Sequence, residues 1–237
     1  MSPRLLILGL LLAADAASAM GLRSLVALPV ERGGNVVRGL WARNTDTAVE
    51  QLNLGLAHGL SGRQTLLLGL PYRLSPGGAD RTGDVSVLYR HTVWQRDRLG
   101  GTRRLALLGG ALVPTDASRD LRAQAGAVAT FFGRRTETDL DLVWQDGRGA
   151  SPTRLRYDLA WQYRLWPARH TGWSADATEW DLDLELGGRH TAGAGTTRQA
   201  TVGLQWIHAR WVLEGGVVKD LNKEKQRQIL VSVRVHF

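Results

Sequence analysis

The chain has 237 residues, of which 43% are hydrophobic and 22% charged, and its formal net charge is +8. It contains no cysteine, so no disulfide framework can hold it together. Arginine carries nearly all of the positive charge, because the only lysines are Lys219, Lys223 and Lys225. The arginines alternate with apolar residues instead of clustering, which argues against a nucleic-acid partner. A GC-rich genome would account for the preference for arginine over lysine.

The first residues predict a secretory signal peptide. Arg4 is followed by an apolar run from Leu5 to Ala14 and then by the small-residue sequence Ala17-Ser18-Ala19. The alternative is a membrane anchor, but a transmembrane helix needs roughly 20 apolar residues, about twice the length of this run. We therefore expect a signal peptide at 1–19 and a mature chain at 20–237.

The rest of the chain predicts β-strands. No apolar stretch is long enough for a transmembrane helix, and the hydrophobic residues are spread over short alternating segments. Clusters of glycine, proline, aspartate and arginine mark the turns. The predicted strands, twelve in all, cover residues 33–43, 47–58, 64–74, 84–95, 103–113, 121–132, 137–146, 153–166, 178–190, 197–208, 210–220 and 227–237. The first is weakly patterned, so ten or fourteen strands are the alternatives.

Alternation is clearest in the segments 153–166, 178–190 and 227–237. In the second of these, Asp181, Asp183 and Glu185 lie on one face, and the other face carries Trp180, Leu182, Leu184 and Leu186. A soluble sandwich would bury the apolar face, whereas a membrane barrel would turn it to lipid. The length of the strands, the persistence of the pattern and the aromatic residues toward strand ends favour one all-β domain, a transmembrane antiparallel β-barrel.

Aromatic residues near strand ends are candidates for a membrane girdle. Tryptophan and tyrosine are most stable where hydrocarbon meets lipid headgroups, although any one of them could instead fill a core. The candidates are Trp41, Tyr72, Trp94, Trp144, Trp161, Tyr163, Trp180, Trp206 and Trp211.

Charged residues on the opposite strand faces are candidates for lining the lumen. The acidic ones come from three consecutive strands and are Asp139, Asp141, Asp158, Asp181, Asp183 and Glu185. The basic ones lie on other strands and are Arg38, Arg90, Arg104, Arg122 and Arg234. Two interpretations remain open. The separated charges could create a transverse field that selects solutes, or the acids could pair with Arg154, Arg156, Arg164 and Arg189 and close the barrel.

Two segments resemble known outer-membrane proteins. The final strand ends in Phe237, which resembles the signal that the barrel assembly machinery reads. Between 51 and 120, Gly83-Asp84 opens a strand, and the next hairpin ends in a glycine-rich strand followed by Pro114-Thr115. This pattern resembles the family of outer-membrane transporters named for the meta-pathway of phenol degradation, except that Asp116 replaces a glycine. The resemblance implies a porin-like or hydrocarbon-related channel and assigns no binding residue.

The sequence gives no sign of catalysis or of a cofactor. Within the predicted strands, Ser86 lies on the face opposite His91, and Ser232 is about 13 Å along its strand from His236, too far for a nucleophile and its base. The histidines are scattered singly, so we expect no metal site. The glycine runs lack the lysine and spacing of a phosphate-binding loop.

We therefore expect a non-enzymatic channel for small solutes, aromatic or anionic, in the bacterial outer membrane. The alternative function is a closed barrel that serves as a scaffold for another envelope component. The expected partners are outer-membrane lipid and lipopolysaccharide, the assembly machinery during biogenesis, and the solutes themselves.

Overall fold

A computed structural model describes residues 21–78, 81–149, 151–168, 178–222 and 226–237. The predicted signal peptide, residues 1–19, lies outside the described residues. These residues form twelve strands: β1 (Asn35–Asn44), β2 (Glu50–Ser61), β3 (Gln64–Ser75), β4 (Val85–Arg98), β5 (Gly101–Val113), β6 (Arg122–Phe132), β7 (Thr136–Gln145), β8 (Arg154–Trp166), β9 (Thr178–Thr191), β10 (Gly195–His208), β11 (Trp211–Asp220) and β12 (Arg227–His236).

The strands form one closed antiparallel barrel. Each strand pairs with its neighbours in sequence, and β1 pairs with β12 to close the sheet, so that Val36 lies opposite His236 and Asn44 opposite Gln228. Closure leaves no unpaired strand edge. The predicted all-β barrel and its twelve strands are therefore confirmed.

The two faces of the barrel wall differ in chemistry. On β9 the side chains of Asp181, Asp183 and Glu185 are buried, whereas Leu184 and Leu186 are exposed on the outside. Strands of 10 to 14 residues are long enough to cross a bilayer, which takes about 9 to 11 tilted residues. The part of the chain that the structure describes has no helix suited to spanning a membrane. An apolar exterior around a charged interior is the arrangement of an outer-membrane barrel.

The two ends of the barrel can be told apart by their connections. One end carries the tight turns after β2, β4, β6 and β10, together with both ends of the sheet, where Asn35 and Phe237 exchange backbone hydrogen bonds of 2.6 and 2.9 Å. Short turns and chain termini are typical of the periplasmic end. We call the half of the interior near this end the inner half, and the other the outer half.

Two of the β-bulges near the periplasmic end change the face on which a tryptophan lies. They lie between Thr92 and Trp94 on β4 and between Arg164 and Trp166 on β8. Thr92 and Arg164 are buried, and strict alternation would turn both tryptophans inward. The bulges instead leave Trp94 and Trp166 on the outside, 47% and 57% exposed.

Candidate solute pathway inside the barrel

One side of the interior is acidic. Strand pairing sets Asp141 opposite Asp158 and places Ala160 between Asp139 and Glu185. The predicted acidic residues are therefore brought together, and Glu137, which was not among the predicted residues, joins them. We define the acidic wall as these seven buried carboxylates: Glu137, Asp139, Asp141, Asp158, Asp181, Asp183 and Glu185. The wall extends from the middle of the barrel into its inner half.

The five predicted arginines lie elsewhere around the interior. Arg38 donates to Glu214 at 2.7 Å, and Arg234 also pairs with Glu214. Arg122 pairs at 2.6 Å with a second carboxylate that lies just before β4, Asp84. Arg104 is half-buried. The sequence did not indicate that these carboxylates bind the arginines, because cross-strand neighbours depend on register.

Arg90 contacts a segment inside the barrel that the sequence did not predict. Its guanidinium donates to the carbonyl oxygen of Val26 at 2.5 Å, a residue that precedes the first strand. Residues 21–30, which we call the inner segment, lie inside the barrel, and Leu22 and Ala27 are 0% exposed. The inner segment starts at mid-barrel beside β9 and leads through the inner half toward the start of β1.

The amide groups of the inner segment bind the acidic wall. The Leu22 N–H donates to Asp183 at 3.1 Å, and the Arg23 and Ser24 N–H groups donate to the same oxygen of Glu185. Further along, the N–H of Leu25 donates to Asp141 and that of Ala27 to Thr130, at 2.7 and 2.8 Å. The Arg23 side chain pairs with Asp158 at 3.8 Å. Buried carboxylates thus accept N–H groups that would otherwise lack a partner.

The carbonyl groups of the inner segment face donors on the other side. Arg38 donates to the carbonyl oxygens of Gly21 and Leu22, at 3.4 and 2.8 Å. Thr92 donates to that of Ala27 at 3.3 Å. The acids therefore bind the N–H groups of the inner segment, and the arginines bind its carbonyl groups. Neither interpretation of the sequence included a peptide segment between the two sets of charges.

Apolar residues on the inner face contact the inner segment at two places. Leu22 packs against Val218 and Leu230, and a Cβ atom on Gly203 or Gly216 would collide with its side chain. Ala27 packs against a second buried cluster, which consists of Leu88, Ala106, Leu108, Val128 and Val143. The inner half is consequently packed like a protein core.

The outer half contains a group of arginines to which the backbone of the inner segment makes no described hydrogen bond. Arg156 pairs with Asp141 and Asp158 at 3.1 and 3.2 Å. Arg189 lies directly opposite it on β9 and is exposed. Arg154 is on the same face two residues away. We call Arg154, Arg156 and Arg189 the outer arginines.

All nine predicted girdle residues lie on the outer face of the wall. Trp41, Tyr72 and Trp144 are toward the extracellular end, and the remaining six toward the periplasmic end: Trp94, Trp161, Tyr163, Trp180, Trp206 and Trp211. The Arg135 guanidinium lies 4.7 Å from the Tyr163 ring centroid. Trp166, opposite Trp180 on β9, was not predicted because the bulge reverses its face. Their contact with lipid headgroups stays a prediction, as does the assembly role of Phe237, which is exposed at the end of β12.

The serine residues considered for catalysis have other partners. Ser86 accepts a hydrogen bond from Gln124 at 2.9 Å, and Ser232 accepts one from Arg38 at 2.9 Å. Among the described residues, no group of three or more histidine, aspartate or glutamate side chains is arranged to hold a metal ion.

Comparison with known proteins bears on the fold. No protein-family model matches the chain, and no curated protein does. Among solved structures it is similar to the NanC porin, with 9% identity over 84% of this chain and 98% of that one, at a TM-score of 0.56. LpxR from Salmonella typhimurium gives 10% identity, coverages of 85% and 99%, and a TM-score of 0.45. An anion-selective porin from Comamonas acidovorans is 12% identical over 86% of this chain and 98% of that chain, at a TM-score of 0.29. The chain therefore shares with the NanC porin the fold of a closed antiparallel β-barrel, and its exterior is apolar.

Proposed function

We propose that this protein is a non-enzymatic outer-membrane channel for small solutes and that it favours anions. The observation that carries the proposal is the charge of the outer half, through which a solute from outside would enter. Arg154 and Arg189 form no ion pair with a carboxylate in the described part of the chain, and Arg189 lies opposite Arg156. Adjacent positive charges near a pore entrance raise the local concentration of anions. The likeness to a porin fold agrees with this role.

The chemistry of the two faces favours an anionic over an uncharged aromatic solute. The aromatic girdle candidates are on the outer face, where they could not stack on a solute inside the barrel. The resemblance to the phenol meta-pathway transporters supports a channel and leaves the solute open. A guanidinium group binds carboxylates and phosphates with paired hydrogen bonds, so compact organic anions suit the outer arginines best.

A closed scaffold barrel is the second candidate, and the inner segment favours it. Residues 21–30 occupy the inner half and are held by both polar and apolar contacts. A permanently bound segment would leave a barrel that contacts lipid, lipopolysaccharide and another envelope component but passes nothing. Residues 1–19 would serve only in export, and the assembly machinery would act on the strand that ends in Phe237.

Solute flux into vesicles separates the two functions. The mature protein, refolded into liposomes, is expected to admit a small organic anion such as benzoate faster than an uncharged sugar of similar size. Protein-free liposomes and liposomes with heat-denatured protein are the controls. Swelling rates equal to the controls for every solute would support the closed scaffold and contradict the channel.

A further inference from the structure

We propose that the inner segment is a removable plug and that its departure converts the inner half from a packed core into a cation-attracting passage. The inference rests on the proposed channel function and adds a second conducting state to it. With the plug seated, a small current passes and the outer arginines set its preference for anions; with the plug displaced, a larger current passes along the acidic wall. The acidic wall is then a binding site for a peptide, and its occupant is residues 21–30 of the same chain.

The inner face is shaped for this occupant. The lumen of a water-filled barrel is polar, yet the inward residues around Leu22 and Ala27 are apolar. Gly203 and Gly216 leave the space that the Leu22 side chain fills. Without the segment, this apolar surface would face water, which is unfavourable. The packing of Leu22 and Ala27 against it therefore indicates a specific binding site for the segment.

The plug can leave without breaking the barrel. Every strand is hydrogen-bonded to two neighbouring strands, including the closing pair β1 and β12, so the barrel closes without the inner segment. The hydrogen bonds described for residues 21–30 with the wall are instead between backbone and side chains, and water can replace them. Backbone bonds to the sheet begin only at Gly33, which has a φ of 80° and donates to Gly59 at 2.8 Å. Gly33 and Gly34 therefore provide a hinge between the plug and β1.

Departure of the plug changes the charge balance of the inner half. The segment takes away the cationic side chain of Arg23 and the N–H groups that bind Asp141, Asp183 and Glu185. Seven carboxylates of the acidic wall would then face the passage, with Arg156 as the nearest paired cation. Rings or rows of carboxylates favour cations. The open state should accordingly conduct more current and carry a larger share of it as cations.

A disulfide lock tests the proposal in the whole mature chain, which has no cysteine of its own. The Ala27 nitrogen is 2.8 Å from the Thr130 Oγ1 atom. Bond lengths on either side of this contact keep the two Cα atoms within about 7 Å, the upper limit for a disulfide. The variant Ala27→Cys/Thr130→Cys is refolded, oxidised and inserted into planar bilayers in a potassium chloride gradient. The single variants Ala27→Cys and Thr130→Cys are the matched controls.

The proposal predicts a low conductance for the oxidised double variant and a several-fold rise after reduction, with the zero-current potential moving toward the value for cations. The single variants should not respond to the reductant. Equal, non-zero conductance in the oxidised and reduced states would overturn the plug and leave the channel function standing. Absence of current in both states and in the parent would overturn both proposals.

Thiol labelling gives a second readout that does not depend on current. In the variant Ala27→Cys the thiol is buried as long as the plug is seated. Slow but complete reaction with a bulky, membrane-impermeant maleimide in the folded protein supports departure of the plug. No reaction over many hours, with full reaction after unfolding, would contradict it.

Discussion

Two carboxylates each bind two arginines inside the barrel, one in each half, and their surroundings differ. In the inner half, Glu214 holds Arg38 at 2.7 Å and also pairs with Arg234, whose side chain is 1% exposed. Arg38 in turn donates to the carbonyl oxygen of Leu22. This cluster is closed off from water by the inner segment and its apolar neighbours.

In the outer half, Asp84 holds Arg119 at 2.7 Å and Arg122 at 2.6 Å. The Arg119 side chain is 24% exposed and lies in the connection between β5 and β6. Asp84 and Arg122 are themselves buried, so the two units differ mainly in Arg119, the member that water reaches most. This difference in exposure indicates that the inner half is packed like a core, whereas water and ions reach the outer half, which forms the entrance.

The largest effect is expected from removing the inner carboxylate. Glu214→Gln removes the carboxylate that Arg38 and Arg234 share in a buried setting, and breaking such a buried pair typically costs about 3 to 5 kcal/mol of stability. The matched change Asp84→Asn removes the carboxylate from the buried Arg122, while Arg119 stays within reach of water, so we expect a smaller loss of about 2 kcal/mol. Urea unfolding in lipid vesicles, followed by tryptophan fluorescence, measures both. Equal losses would show that the two halves do not differ in packing.

The next largest effect is expected from a comparison of the lipid face and the interior face of β9. Leu184→Arg puts a charge on the outer, lipid face near mid-membrane and should cost about 2 to 4 kcal/mol. Asp183→Asn, its neighbour inside the barrel, keeps an oxygen that can accept the Leu22 N–H, so a loss of about 1 kcal/mol is expected. The fraction of heat-resistant folded protein on a gel reports both. Similar losses for the two variants would contradict the assigned faces.

The smallest effect on folding, and the sharpest on selectivity, is expected in the outer half. The double variant Arg154→Gln/Arg189→Gln should fold like the parent, because neither arginine pairs with a described carboxylate. Its zero-current potential should move toward cations, and more so at low salt, where screening is weaker. Arg63→Gln, in the exposed turn after β2, is the control and should leave the potential unchanged. An unshifted potential in the double variant would remove the outer arginines from the pathway.

The fold could be predicted because a barrel repeats one local rule. Each strand alternates between lipid and interior, so the pattern gives strand positions and faces without knowledge of neighbours. Collecting Asp139, Asp158 and Glu185 on one side followed from the order of their strands alone. The faces of Trp94 and Trp166 depended on bulges, for which the alternating pattern contains no signal.

The interior could be predicted only in part. Glu214 and Asp84 became partners of arginines through register and depth, which a single strand does not encode. Residues 21–30 lack periodicity because their backbone bonds to side chains and not to a sheet. The segment has several apolar residues, among them Leu22, Leu25, Val26 and Leu28, and their position directly after the predicted signal peptide was the available hint that the segment is buried.

The zero-current potential of the unmodified mature protein reports whether the entrance of the channel favours anions. The measurement uses a planar bilayer with potassium chloride at different concentrations on the two sides and several independently refolded preparations. With the plug seated, we expect a small, steady current and a potential displaced toward the chloride equilibrium value, increasingly so as both concentrations are lowered. A zero-current potential of zero, or one displaced toward the potassium equilibrium value, would contradict an anion-favouring entrance. So would the absence of any current above that of the empty bilayer.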